Sequence, residues 1–235
     1  LQDINFEVRR GSVFVVLGGS GCGKSTLMKH MIGLYQPDKG SIIMSGKDVS
    51  KTFGKEMDAL RQRFGVAYQS GALFGSMTLL ENVMLPLEEF TELSLEARRS
   101  VALMKLQLVG LSGSARRMPS ELSGGMRKRA GIARAMALDP EILFLDEPSA
   151  GLDPVTSAEV DELILRLARN LNITFVVISH ELESIYRIAD DAIMLSAEEK
   201  TIIARGKPQT LREESKNDWV RRFFLREASS NGDAT

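Results

Sequence analysis

Cysteine is almost missing from this sequence, Cys22 being the only one. A single thiol closes no internal disulfide, so a disulfide scaffold is excluded, and with no secretory leader to be read a reducing, cytoplasmic setting is expected. Charge of one sign is not in excess either, since 30 Lys and Arg stand against 31 Asp and Glu. That balance gives no case for a nucleic acid or an anionic membrane surface as the main partner. Long hydrophobic runs are lacking as well. The longest, VFVVL (13–17) and ITFVVI (173–178), fall far short of the roughly 20 residues that cross a bilayer. Internal repeats and low-complexity tracts are also absent, and what remains is a chain of 235 residues, 43% apolar, with enough side-chain volume for one large domain or one domain with an insertion.

Apolar runs rich in β-branched residues recur at 13–17, 64–68, 142–145, 173–179 and 192–195. Several are apolar at successive positions, as strands buried on both faces are. Helical patterns separate them at 24–33, 94–109 and 155–171, and this alternation predicts an α/β fold with a mostly parallel sheet. The stretch 71–120 breaks the rhythm, with no convincing strand and prolines near its helix edges, and predicts a helical insertion. The expected organisation is one domain over 1–215, its helical subdomain inserted at about 71–135, followed by a C-terminal helix and a disordered tail over 216–235. In that helix Trp219, Val220, Phe223 and Phe224 share one face, which closing the domain's own core explains better than partner binding does.

Three motifs carry chemistry. GGSGCGKST (18–26) follows the first strand and opens a helix, the arrangement in which backbone N–H groups wrap phosphate. Here Gly18, Gly19, Ser20, Gly21, Cys22, Gly23, Lys24, Ser25 and Thr26 form the cradle, Lys24 reaching the β and γ phosphates and Ser25 holding Mg²⁺. ILFLDEP (142–148) is an apolar strand ending in two carboxylates, with Asp146 placed to organise the Mg²⁺ shell and Glu147 to align and deprotonate a water. ELSGGM (121–126) makes a second anion site of Ser123, Gly124 and Gly125 at a helix start, and the cations Arg127, Lys128 and Arg129 follow where the helix dipole disfavours them. Anionic charge arriving at that point would compensate them. Two phosphate sites separated by a whole insertion are brought together by two chains arranged head to tail.

With GGSGCGKST, Gln69 after FGVAY, LSGGM, ILFLDEP, SAGLDP (149–154) and ISHE (178–181) in this order, the chain resembles ABC-transporter ATPase subunits over roughly residues 1–205. The resemblance implies a P-loop NTPase of ABC ATPase type, with an N-terminal antiparallel β region, hydrolysing ATP with Mg²⁺. It implies a dimer with two ATP molecules, each between one subunit's Lys24 loop and the other's Ser123 to Gly125. By the same resemblance Gln69 senses Mg²⁺ and couples to membrane subunits, Asp153 lies in the loop linking the two sites, and His180 contacts the γ phosphate. His30 is expected to be structural, and Cys22 a tolerated small residue rather than a nucleophile. Met126 stands where most members have Gln, which touches only contacts of that side chain.

The segment 70–87 lies where such ATPases receive a coupling helix, with Phe74, Met77 and Leu79 as exposed apolar candidates. Together with LSGGMRKRAGIARAMALDPEI it is most similar to the Mce/Mla group, which moves phospholipids or other hydrophobic molecules between bacterial membranes. The resemblance implies a peripheral protein on the cytoplasmic face of the inner membrane. Its implied partners are a second copy, integral permease subunits, and an accessory set of a small cytoplasmic subunit and a lipid carrier. The alternatives are an importer of polar solutes of amino-acid type and a soluble ABC ATPase unconnected with transport.

Overall fold

The computed structural model describes residues 1–226, so the tail expected to be disordered lies outside the described residues. Five parallel strands lie side by side in the order β4 (Phe64–Ala67), β5 (Ile142–Asp146), β6 (Thr174–Ile178), β1 (Val13–Gly18) and β7 (Asp191–Leu195). The strand β8 (Ile202–Gly206) closes the β7 edge antiparallel. A short antiparallel hairpin stands apart, β2 (Ile43–Met44) with β3 (Lys47–Asp48). It supplies the antiparallel part of the expected N-terminal region. Residues 1–10 form no strand and are tied down instead, as where the Gln2 N–H donates to the Lys200 carbonyl over 2.9 Å.

The near-continuous apolar runs have the cause read from the sequence, burial of the sheet on both faces. Side chains alternate across a strand. Val13, Val15 and Leu17 of β1 join one core cluster, while Phe14 and Val16 join the other. The second face is covered by α1 (Lys24–Met31) and α2 (Gly54–Arg61) through Leu27, Met28, Met57 and Leu60. The first is covered by α6 (Pro154–Leu171) and α7 (Leu182–Ile188), together with the helices between β4 and β5. Those are α3 (Leu79–Phe90), α4 (Leu95–Leu108) and α5 (Gly124–Ala135).

One expectation within that helical stretch is corrected. Leu79 is not exposed for a partner but fully buried. It is the first residue of α3, whose start is fixed by a reciprocal cap between Thr78 and Glu81. The cap orients the first turn so that Leu79, Val83 and Leu87 face the core. Phe74, outside the helix, stays half exposed.

Two helices follow β8, α8 (Pro208–Glu214) and α9 (Asp218–Leu225). Val220 and Phe224 of α9 are 0% and 4% exposed and belong to the main core cluster, whereas Trp219 stays 42% exposed. The helix therefore closes the chain's own core, as its apolar face suggested. Ending the chain after Glu214 should lower the thermal midpoint by several degrees. Each large apolar side chain removed from the core costs about 1.5–3 kcal/mol, and about 2–4 °C is lost per kcal/mol in a chain of this size. An unchanged midpoint in a thermal melt would contradict the packing.

Candidate functional site

In an open parallel sheet, ligands bind beyond the carboxyl ends of the strands. The residues singled out from the sequence gather there. The 18–26 loop leaves β1, Gln69 follows β4, Asp146 ends β5 with Glu147 next, and His180 lies two residues past β6. β4, β5, β6 and β1 are consecutive neighbours, so four loops converge on one edge.

The loop 18–26 is preorganised for an anion. Gly23 is the N-cap of α1 with φ +98°, a left-handed conformation that favours glycine, and no side chain caps the helix. The first-turn N–H groups of α1 and the positive end of its dipole are therefore left for a ligand. Lys24 opens the helix and its Nζ donates to the carbonyls of Gly18 (2.8 Å) and Gly19 (2.9 Å), so its ammonium is held inside the loop. Ser20, Gly21, Ser25 and Thr26 are exposed along the rim, and Cys22 is buried beneath it. His30 lies in α1 with Nδ1 near the Tyr35 carbonyl (3.2 Å), a local contact in keeping with a structural role.

The two carboxylates at the end of β5 differ in setting. Asp146 is half-buried. Burial pushes its carboxyl above the usual carboxylate range and the neighbouring Glu147 adds to this, while Lys128, Lys24 and Lys29 pull it back. Glu147 is buried and takes φ +51°, which an L residue adopts only under constraint. Its N–H donates to the Ile178 carbonyl (2.9 Å), its own carbonyl accepts from Lys128 Nζ (2.6 Å), and its Oε1 accepts from Nδ1 of His180 (2.6 Å). Oε2 is buried without a partner among the described residues. A buried carboxylate oxygen left free in this way suits an acceptor for a water bound beside a phosphate.

The Ser123 loop is built separately. Ser123 caps α5, its side chain accepting from the Met126 N–H (3.3 Å). Gly125 packs so closely on α6 that a Cβ would come within 2.3 Å of the Thr156 side chain, which explains the glycine. Asp153 caps α6 from the same junction, accepting from the N–H groups of Val155 (3.1 Å) and Thr156 (3.0 Å), and the Thr156 hydroxyl first, then these N–H groups, hold its carboxyl below the usual range. The three cations after this loop each have a main-chain acceptor. Arg127 donates to the Leu122 carbonyl (2.9 Å) and stays exposed, Arg129 donates to that of Val109 (3.4 Å) and the buried Lys128 to that of Glu147. Sequence reasoning gave Lys128 no place in the site. The run RKR holds no signal of which cation turns inward; only the fold, which packs α5 on β4 and so brings Lys128 to the turn after β5, makes the choice.

A model of the ABC transporter family matches residues 1–150. The chain is 41% identical over 210 residues to the intermembrane phospholipid transport system ATP-binding protein MlaF of Haemophilus influenzae, spanning 89% of this chain and 79% of that one. It is 43% identical over 194 residues to the probable ribonucleotide transport ATP-binding protein mkl of Mycobacterium leprae, covering 83% of this chain but 56% of that protein. Among solved structures it is similar to the ATP-binding cassette MJ0796, a dimer in a post-hydrolysis state bound to ADP and Pi. The TM-score is 0.79 and the identity 29%, over 88% of this chain and 90% of that one.

The sole tryptophan gives this loop a reporter. A Cβ on Gly19 would touch the Trp219 ring at 3.5 Å. Adding ATP should therefore change the intrinsic tryptophan fluorescence in a saturable way, and Lys24→Ala should weaken the response. A signal indifferent to ATP at concentrations that support turnover would count against nucleotide in the 18–26 loop.

Proposed function

Because the chain belongs to the ABC transporter family, we propose that it is the ATP-hydrolysing subunit of a transporter that moves phospholipid. It works as a head-to-tail dimer with two ATP molecules, on separate membrane subunits. The observation that carries the reading is the convergence of the Lys24 loop, Asp146, Glu147 and His180 on one sheet edge, with Glu147 Oε2 unpartnered among the described residues. The relatives add the cargo. MlaF and mkl are about equally identical, but the match to MlaF is longer and spans more of that protein, and MlaF is named for phospholipid.

In this reading the first-turn N–H groups of α1 and Lys24 bind the β and γ phosphates. Ser25, Gln69 and Asp146 would hold Mg²⁺, which is usually bound by one or two carboxylates together with substrate phosphates, and Asp146 is the single carboxylate of the set. When bound, that ion neutralises charge on the β and γ phosphates. His180 keeps one oxygen of Glu147 in place, and the other orients a water and takes its proton as the water oxygen attacks phosphorus. The bond to the departing ADP breaks, and the proton leaves with phosphate or solvent. Ser123, Gly124 and Gly125 complete the neighbour's site, their helix start presenting N–H groups to its γ phosphate, and Asp153 lies at the junction joining the two sites.

Among the described residues no helix is long and apolar enough to cross a membrane. The membrane contact is instead the half-exposed Phe74 with a groove of about 320 Å³ beside α3 and α4, lined by Leu80, Arg99, Leu103 and Ala115. The chain then sits on the cytoplasmic face of a bacterial inner membrane, with a small cytoplasmic subunit and a lipid carrier as its accessory partners. Isolation from membranes by a tag on this chain should bring an integral subunit with bound phospholipid, and ATP should drive phospholipid transfer between vesicles. Isolation with a permease whose ATP turnover responds to a polar solute instead would replace the lipid reading.

The shared site has its own test. Ser123→Arg and Lys24→Ala chains should each be inactive as homodimers. Mixed, they form a heterodimer in which the intact Lys24 loop of one chain meets the intact Ser123 loop of the other, and ATPase activity should return in part. A Ser123→Arg chain that hydrolyses ATP normally as a dilute monomer would refute the shared site.

A further inference from the structure

Lys128 is left without a task by the reading above, yet it is 9% exposed, where lysine is rarely found unless it is paired. Among the described residues, its ammonium donates to the Glu147 main-chain carbonyl (2.6 Å). Burial pushes the Lys128 ammonium below its usual value, and the carboxylates of Glu147, Asp146 and Glu181 pull it back up. The cation thus lies beneath the acidic side of the site rather than facing solvent. Its helix touches other parts of the machinery too. Ser123 is the N-cap of α5, Gly125 abuts Thr156 beside the Asp153 loop, and Arg134 donates to the carbonyls of Gly71 (3.2 Å) and Ala72 (2.7 Å), just beyond Gln69.

We propose that Lys128 is a positioning residue for Glu147, a link through which a shift of α5 at Ser123 reaches the glutamate of the chain's own site. The inference rests on the reading of Glu147 as the base and of Ser123 as serving the neighbour's nucleotide. Glu147 holds a left-handed conformation against its preference, and its carbonyl has two donors, Lys128 and the more distant Ala150 N–H (3.3 Å). Without the ammonium, the turn after β5 keeps the weaker bond and the carboxylate loses its fixed place. A helix moves as a unit, so seating Ser123 on a neighbour's phosphate and setting Glu147 become one motion. Each chain's base is then set by the nucleotide of the other site.

The test is steady-state hydrolysis of Mg-ATP by the full chain. Lys128→Met keeps the apolar stem and removes the donor. A misplacement of about 1 Å costs up to about 100-fold, so kcat should fall about 10- to 100-fold, while KM for ATP stays within about twofold and ATP-driven dimerisation in size-exclusion chromatography persists. Lys128→Arg, which restores a cationic donor, should recover part of kcat. On the residual turnover of Glu147→Gln, adding Lys128→Met should cost less than about twofold, since the two changes act on one group. Should Lys128→Met fail to fold, Lys128→Gln, a shorter neutral donor, is expected to show the same fall in kcat at constant KM. Wild-type kcat in the folded variant, a raised KM at constant kcat, or multiplying losses in the double variant would overturn the proposal. Glu147→Gln alone separates the two readings. If it hydrolyses ATP normally, the base assignment fails; if it is inactive while Lys128→Met keeps the wild-type kcat, only the role of Lys128 fails.

Discussion

The backbone of Glu147 is the constraint on which the site depends. At the end of β5 the chain leaves the sheet through a residue with φ +51°, and that conformation holds because both of its peptide groups are bonded. The N–H is anchored to Ile178 of β6, the residue whose register partner is Asp146. The position of the carboxylate is thus an extension of the β5–β6 pairing. Because β5 and β6 are interior strands covered on both faces, their register cannot slip without exposing the core on both sides.

The charges at this edge lie close to one another. Asp146, Glu147 and Glu181 lie near Lys128, and Lys24 approaches Asp146 from the phosphate loop. Burial raises the Asp146 carboxyl and lowers the Lys128 ammonium, so each charge is costly alone and tolerable beside the other. The helix start in the 18–26 loop is the exception, since among the described residues no side chain caps it. Incoming negative charge is therefore attracted to that loop and not to the acidic turn.

Much of this was legible in the sequence, for identifiable reasons. The runs at 13–17, 142–145 and 173–178 read as strands because burial on both faces leaves only Thr174 as a polar position to blur the signal. The phosphate loop and the DE pair were legible because their chemistry fixes residue type and spacing. What escaped depends on contacts distant in the chain. The edge strand β8 has a mixed pattern, ending in Arg205 and Gly206, and β2–β3 is too short for a period. Leu79 looks like any apolar residue in an apolar segment, although the spacing of Thr78 and Glu81 is a local signal that marks it as the first residue of a helix. Lys128 is one cation of three, and its burial is decided by Glu147, nineteen residues away.

α5 gives the two phosphate-binding motifs their relation within one chain. Its N-cap is the residue assigned to the neighbour's nucleotide, and its second turn holds the backbone of the chain's own glutamate. Its last turn is bonded to the segment beyond Gln69, which leads through the half-exposed Phe74 toward the groove beside α3 and α4. Arg134 reinforces that path, with its guanidinium 5.8 Å from the Phe74 ring centroid. On the proposed reading, one helix therefore serves the partner's site, the chain's own base and the face offered to a membrane subunit. Binding at any one of these surfaces that displaces α5 alters the other two, and by linkage the coupling in binding free energy runs equally in both directions.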